Sequence, residues 1–98
     1  MAVDLRNGAD ESTLTLSGVG DVTVARAIHA AARQALAAAP RAVVVRLHEL
    51  DTLDTSATQL LLALRKSLAA SGASLRIEGT PPAVAELWRG AGLHDLLG

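Results

Sequence analysis

Apolar and polar positions alternate and then recur at helical spacing in a repeating order along the chain. Val3 and Leu5 form a short alternation, residues 7–11 are polar and turn-like, and Thr13 to Ser17 reads Thr-Leu-Thr-Leu-Ser. This predicts a β-hairpin with Leu14 and Leu16 on one face. Gly18-Val19-Gly20-Asp21 is expected to break the second strand. From Val22 onward the positions Val24, Ile28, Ala31, Ala32, Ala35 and Leu36 fall on one helical stripe, with Arg26, Arg33 and Gln34 off it, and Pro40 closes the helix. Val43, Val44, Val45 and Leu47 make a nearly continuous apolar run, the pattern of a central strand covered on both faces.

The stretch after that strand is polar and carries the candidate chemistry. The chain is expected to turn through Leu50 to Thr55 and to start a helix at Ser56 that runs to Ala70. Leu60, Leu61, Leu64 and Leu68 would face inward, Arg65, Lys66 and Ser67 outward, and Gly72 would end the helix. Leu75 and Ile77 alternate with Arg76 and Glu78 as a further strand. Thr80-Pro81-Pro82 then opens a last helix, with Thr80 as the expected cap and proline in the first turn. Val84, Leu87, Trp88 and Ala91 are its expected buried stripe, with Trp88 assigned to the core, and Leu93, Leu96 and Leu97 form a terminal apolar patch. Strand, strand, helix, strand, helix, strand, helix is an α/β order. It predicts one domain over residues 1–98 with a mixed sheet of about four strands and helices packed mainly on one face.

Composition narrows the function. Ninety-eight residues, 50% hydrophobic, make one domain able to withdraw roughly 60 to 65% of its unfolded surface from water. The core must be aliphatic, because Trp88 is the sole aromatic residue. A net charge of −1 without a basic run, and no aromatic platform for bases, argue against a nucleic-acid surface. With no cysteine there is no disulfide, thiol nucleophile or thiolate metal site. The first eleven residues hold Asp4, Arg6, Asp10 and Glu11 without an apolar block, and apolar runs elsewhere reach only about half a dozen residues, far short of a membrane span. A cytoplasmic location and no membrane insertion are expected.

Several constellations compete for a functional role. Gly18-Val19-Gly20 sits between strand and helix as a dinucleotide turn would, but Thr23 stands where a third glycine belongs, so a tight turn capped by Asp21 or Thr23 is the plainer reading. His29, His48 and His94 share no ligand spacing and no nucleophile elbow accompanies them, so no catalytic residue, metal or cofactor is assigned. Glu49, Asp51 and Asp54 cluster in sequence without a phosphate loop that would complete a cation site. Ser56-Ala57-Thr58-Gln59 fits a capping box, in which the serine oxygen accepts a backbone N–H and the glutamine reaches back. The same oxygen could instead carry a phosphate where the helix dipole favours negative charge. Both readings stay open on local pattern alone.

Taken together, Gly18-Val19-Gly20-Asp21, the strand and acidic-apolar loop from Val43 to Leu53, Asp54-Thr55-Ser56-Ala57, Gly79-Thr80-Pro81-Pro82-Ala83-Val84 and Gly92-Leu93 resemble, in order and spacing, the motifs of STAS domains, the fold of anti-sigma-factor antagonists and their relatives. The resemblance implies a non-enzymatic regulatory module that binds a kinase-type partner, an anti-sigma factor that is also a serine kinase, with Ser56 as phosphoacceptor and Thr55 as the alternative. Asp21, Asp54, Thr55, Ser56, Ala57 and Thr58 would form the partner-binding surface, and a homodimer is compatible with the family. The chain departs from the family pattern at Ala57, where glycine is usual, at Thr58, where an apolar residue is usual, and at Arg46 and His48. Its compact outline also resembles STAS accessory subunits of lipid-transport ABC systems and of chemosensory or stressosome scaffolds, in which Ser56 would be only a cap. A nucleotide-binding role resting on Gly18-Val19-Gly20 is a third class.

Overall fold

Seven elements follow one another in the computed structural model, which describes residues 2–20 and 22–93: β1 (Ala2–Asn7), β2 (Glu11–Gly20), α1 (Val22–Ala37), β3 (Ala42–Leu53), α2 (Thr55–Ala70), β4 (Ser74–Glu78) and α3 (Pro82–Gly90). The strands form one mixed sheet in the order β1-β2-β3-β4. β1 and β2 pair antiparallel as a hairpin, Val3 opposite Leu16 and Leu5 opposite Leu14. The β2–β3 and β3–β4 pairs are parallel, each joined by a helical crossover as parallel neighbours require.

Strand alternation decides the core. Leu14 and Leu16 are fully buried while Thr13 and Thr15 between and beside them are half-exposed, as the hairpin pattern predicts. Val43, Val45 and Leu47 of β3 join them, and all three helices pack into the same cluster: Ile28, Ala31, Ala32 and Ala35 of α1, Ala57, Leu61, Leu64 and Leu68 of α2, Val84 and Trp88 of α3. Each buried leucine or valine contributes roughly 1.5 to 3 kcal/mol relative to exposure, so an aliphatic core of this size carries the fold without aromatic stacking. Val44 points to the other face and is buried there too, flanked in register by Thr13 and Arg76. Ser12, the one fully buried polar residue of β2, donates its hydroxyl to Asn7 Oδ1 at 2.7 Å and so leaves no orphan.

β3 is longer than the apolar run suggests, and the reason is two irregularities. Its pairing with β2 slips by one residue between Thr15 and Ser17 and again between Gly18 and Val19, so β3 holds two extra residues. Leu47, Leu50 and Leu53 therefore all turn inward although they are three apart, where regular alternation would send Leu50 to the opposite face. The expected turn from Leu50 is thus strand as far as Leu53. Gly18 and Gly20 also belong to β2 rather than ending it, lying opposite Leu50 and Leu53 with no side chain to compete for the inward space. Gly18 takes φ 81°, a conformation that costs glycine nothing, at the second slip.

The helix ends correct two further expectations. α3 starts at Pro82 with Pro81 in the capping position and no side-chain cap, so Thr80 does not cap it. Leu87 is 44% exposed and Ala91 is exposed, because the short helix turns its Val84–Ala85–Trp88 face to the core instead. Asp21, His94, Leu96 and Leu97, to which the sequence assigned a turn, a partner surface and a terminal patch, lie outside the described residues. No helix among the described residues is long and apolar enough to cross a membrane.

Candidate functional site

The junction from β3 to α2 is built around Asp54, not Ser56. Asp54 is extended (φ −83°, ψ 175°), and its Oδ1 accepts the backbone N–H of Ala57 at 2.9 Å. That is the geometry of an N-cap, in which a carboxylate satisfies an otherwise unpaired N–H of the first turn and meets the positive end of the helix dipole. The capping box expected at Ser56 is therefore displaced by two residues, because β3 persists to Leu53 and α2 begins at Thr55. Ser56 lies inside the first turn, exposed, and its hydroxyl forms no hydrogen bond among the described residues.

The two departures at Ala57 and Thr58 turn out to be packing positions. Ala57 is fully buried and belongs to the core cluster, so its methyl fills space a glycine would leave empty. Thr58 is 3% exposed. Its Oγ1 donates to the Asp54 carbonyl at 3.0 Å and accepts the indole N–H of fully buried Trp88 at 3.1 Å. Thr58 thus links α3 to the first turn of α2 and satisfies the one polar group that the large Trp88 ring brings into the core. A threonine on the apolar stripe of a helix, together with a lone buried tryptophan that needs an acceptor, was the signal in the sequence for this contact. Of the six residues assigned to a partner surface, Thr55 and Ser56 are exposed, Asp54 is half-buried, Ala57 and Thr58 lie behind them, and Asp21 is outside the described residues.

Two grooves flank the exposed pair. Between α1 and α2 an open groove of about 480 Å³ is lined by Arg26, His29, Ser56, Gln59 and Leu60. Between α2 and α3 a more apolar cleft of about 240 Å³ is lined by Thr55, Thr58, Leu62, Leu87, Trp88 and Leu93, among others. The Leu87 side chain gives this cleft its one large exposed apolar group among the described residues.

The other candidates do not assemble. Gly18 and Gly20 are paired along β3, so they form no phosphate-cradling loop ahead of α1. His29 stands on α1 and His48 on β3, where the His48 ring packs against Gly79; a Cβ at Gly79 would run into that ring. Among the described residues, no group of three or more His, Asp or Glu side chains could hold a metal ion.

Comparison with known proteins adds a family. The model of a family described as "Mlab, STAS domain" matches residues 3–98. A search of curated proteins finds no match. Among solved structures the fold is similar to that of the anti-sigma factor antagonist SpoIIAA. Its unphosphorylated form has TM-score 0.86 and 21% identity, covering 97% of this chain and 84% of that one. The phosphorylated form from Bacillus has TM-score 0.79 and 20% identity, covering 97% and 87%. It is similar also to an anti-sigma factor antagonist from Mycobacterium paratuberculosis, with TM-score 0.84 and 21% identity over 96% of this chain and 80% of that one. A sulfate transporter family protein from Wolinella succinogenes gives TM-score 0.75 and 16% identity over 90% and 71%. At these identities the structural likeness establishes the α/β fold with its four-stranded mixed sheet.

Proposed function

The chain belongs to the STAS domain family, and from that premise we propose that it is a non-enzymatic regulatory module of the anti-sigma-factor antagonist kind, binding a kinase-type protein partner through the surface around Ser56. The partner supplies ATP and catalysis. The Ser56 oxygen forms a bond to the γ-phosphorus, the bond to the β-phosphate bridging oxygen breaks, ADP leaves with that electron pair, and the hydroxyl proton passes to a base of the partner. The observation that carries this reading is that Ser56 is exposed in the first turn while Asp54 does the capping. The fold makes no use of the Ser56 hydroxyl, so a phosphate on it disrupts no bond of the native state. Two negative charges at this end of α2 are also met by the helix dipole. Thr55 is the neighbouring exposed alternative.

A second reading draws on the Mlab description of the matching family and on the likeness to a sulfate transporter family protein. In it the chain is a STAS accessory subunit of a lipid-transport ABC system, or of a chemosensory or stressosome scaffold, and Ser56 stays unmodified. Intact-mass and peptide analysis of the protein from its native cell separates the two: one phosphate on Ser56 is expected. In binding assays with a candidate anti-sigma-factor kinase, Ser56→Asp is expected to weaken binding at least tenfold while Ser56→Ala preserves it. Equal binding by all three forms, with no phosphate in the cell, would overturn the first reading.

A further inference from the structure

We infer that the groove between α1 and α2 is a receiving site for the phosphoryl group of Ser56, in which Arg26 and His29 of the facing helix bind it within the same chain. The inference rests on the reading of Ser56 as phosphoacceptor and deepens it. Arg26 and His29 are three residues apart on α1, and Ser56 and Gln59 are three apart on α2, so each helix presents a neighbouring pair of side chains to one groove. The groove is open and about 480 Å³, ample for a tetrahedral phosphoryl group.

Its charge is one-sided. Among the described residues no carboxylate lines it, and Arg26 and His29 are exposed and make no ion pair or hydrogen bond there. Arg6, Arg41 and Arg76, by contrast, each lie beside a carboxylate. Asp54, at the start of the same helix, is occupied at Oδ1 by the Ala57 N–H. A phosphoserine offers three acceptor oxygens and close to two negative charges. The Arg26 guanidinium can take two of those oxygens with parallel N–H bonds, and an imidazole N–H of His29 can take the third. Phosphorylation then does more than add charge: it ties α1 to α2 and withdraws the Arg26 cation and the His29 ring from any partner that reads this surface.

The test uses full-length protein with phosphoserine incorporated at position 56 during synthesis, so it does not depend on a cellular kinase. The second ionisation of the phosphate is followed by ³¹P NMR in the wild-type background and in Arg26→Gln/His29→Gln. Free phosphoserine titrates near about 6, and an adjacent cation favours the dianion, so in the wild-type background the midpoint is expected about half a pH unit or more lower. It returns toward the free value in the double variant, and Arg26→Lys recovers part of the difference. Asp54 is present in both proteins and cancels from the comparison. Both substituted side chains are exposed, and equal melting temperatures of the unphosphorylated forms check that the fold is intact. Identical titration midpoints in the two backgrounds would overturn the receiving site. An unphosphorylated Ser56 in the native cell would instead overturn the switch reading, a separate result from a separate sample.

Discussion

Thr58→Val should destabilise the protein far more than its modest change in shape implies. Valine keeps the branched outline of threonine at a position only 3% exposed, but it removes the acceptor of the Trp88 indole N–H and the donor to the Asp54 carbonyl. The Asp54 carbonyl keeps a second partner, the Thr58 backbone N–H at 3.1 Å, so that loss is small. The indole N–H keeps none among the described bonds, and Trp88 is fully buried. Stranding a buried donor costs about 1 to 3 kcal/mol. For a domain of this size each kcal/mol lowers the melting temperature by about 4 to 8 °C, so a loss of roughly 5 to 20 °C is expected. Thermal unfolding followed by far-ultraviolet circular dichroism measures the shift, and urea unfolding the free-energy loss. The cost must also depend on Trp88: in a Trp88→Phe background no N–H remains to be stranded, and Thr58→Val should become cheaper by about 1 kcal/mol or more. A Thr58→Val protein within about 0.5 kcal/mol of wild type, or the same cost in both backgrounds, would refute the assignment of this bond as the link between α3 and α2.

The same unfolding assay separates the two candidate caps: Asp54→Ala is expected to cost about 1 kcal/mol, whereas Ser56→Ala stays within about 0.5 kcal/mol as an exposed substitution away from any bond. The reverse ranking would restore the Ser56 capping box. Leu50→Ala should cost about 2 to 5 kcal/mol, as a truncation inside the core does; a cost near zero would mean that Leu50 faces solvent and that the irregularities of β3 are absent.

Much of the architecture was legible because its cause is periodic. Leu14 and Leu16 alternate with threonines, and the α1 and α2 stripes recur at helical spacing, so hairpin, helices and crossover order follow from pattern. What was not legible depends on partners distant in sequence. Nothing near Leu50 signals that β2 will pair with it through two slips, so the triplet Leu47, Leu50, Leu53 looked like a strand giving way to a turn. With β3 running to Leu53, only Asp54 is left before α2, which starts at Thr55, and the cap falls on Asp54 instead of Ser56. Leu87 was misplaced for a related reason: periodicity names a stripe, but which edge of it reaches the core depends on how a helix of nine residues sits on the sheet. At the candidate site residue types marked Ser56 as either a cap or a phosphoacceptor. The basic groove facing it could not, since Arg26 and His29 are about thirty residues away and looked like the solvent side of another helix.

Trp88 is the only aromatic residue of the chain, so its near-ultraviolet absorption and its fluorescence both come from a single indole. That indole is sealed from water and hydrogen-bonded to Thr58, whose hydroxyl in turn holds the carbonyl of Asp54, two residues before Ser56. The chain therefore carries its own optical gauge of the β3–α2 junction: an event there that loosens the first turn of α2 shifts one emission band, free of overlap from any other chromophore and without an attached dye.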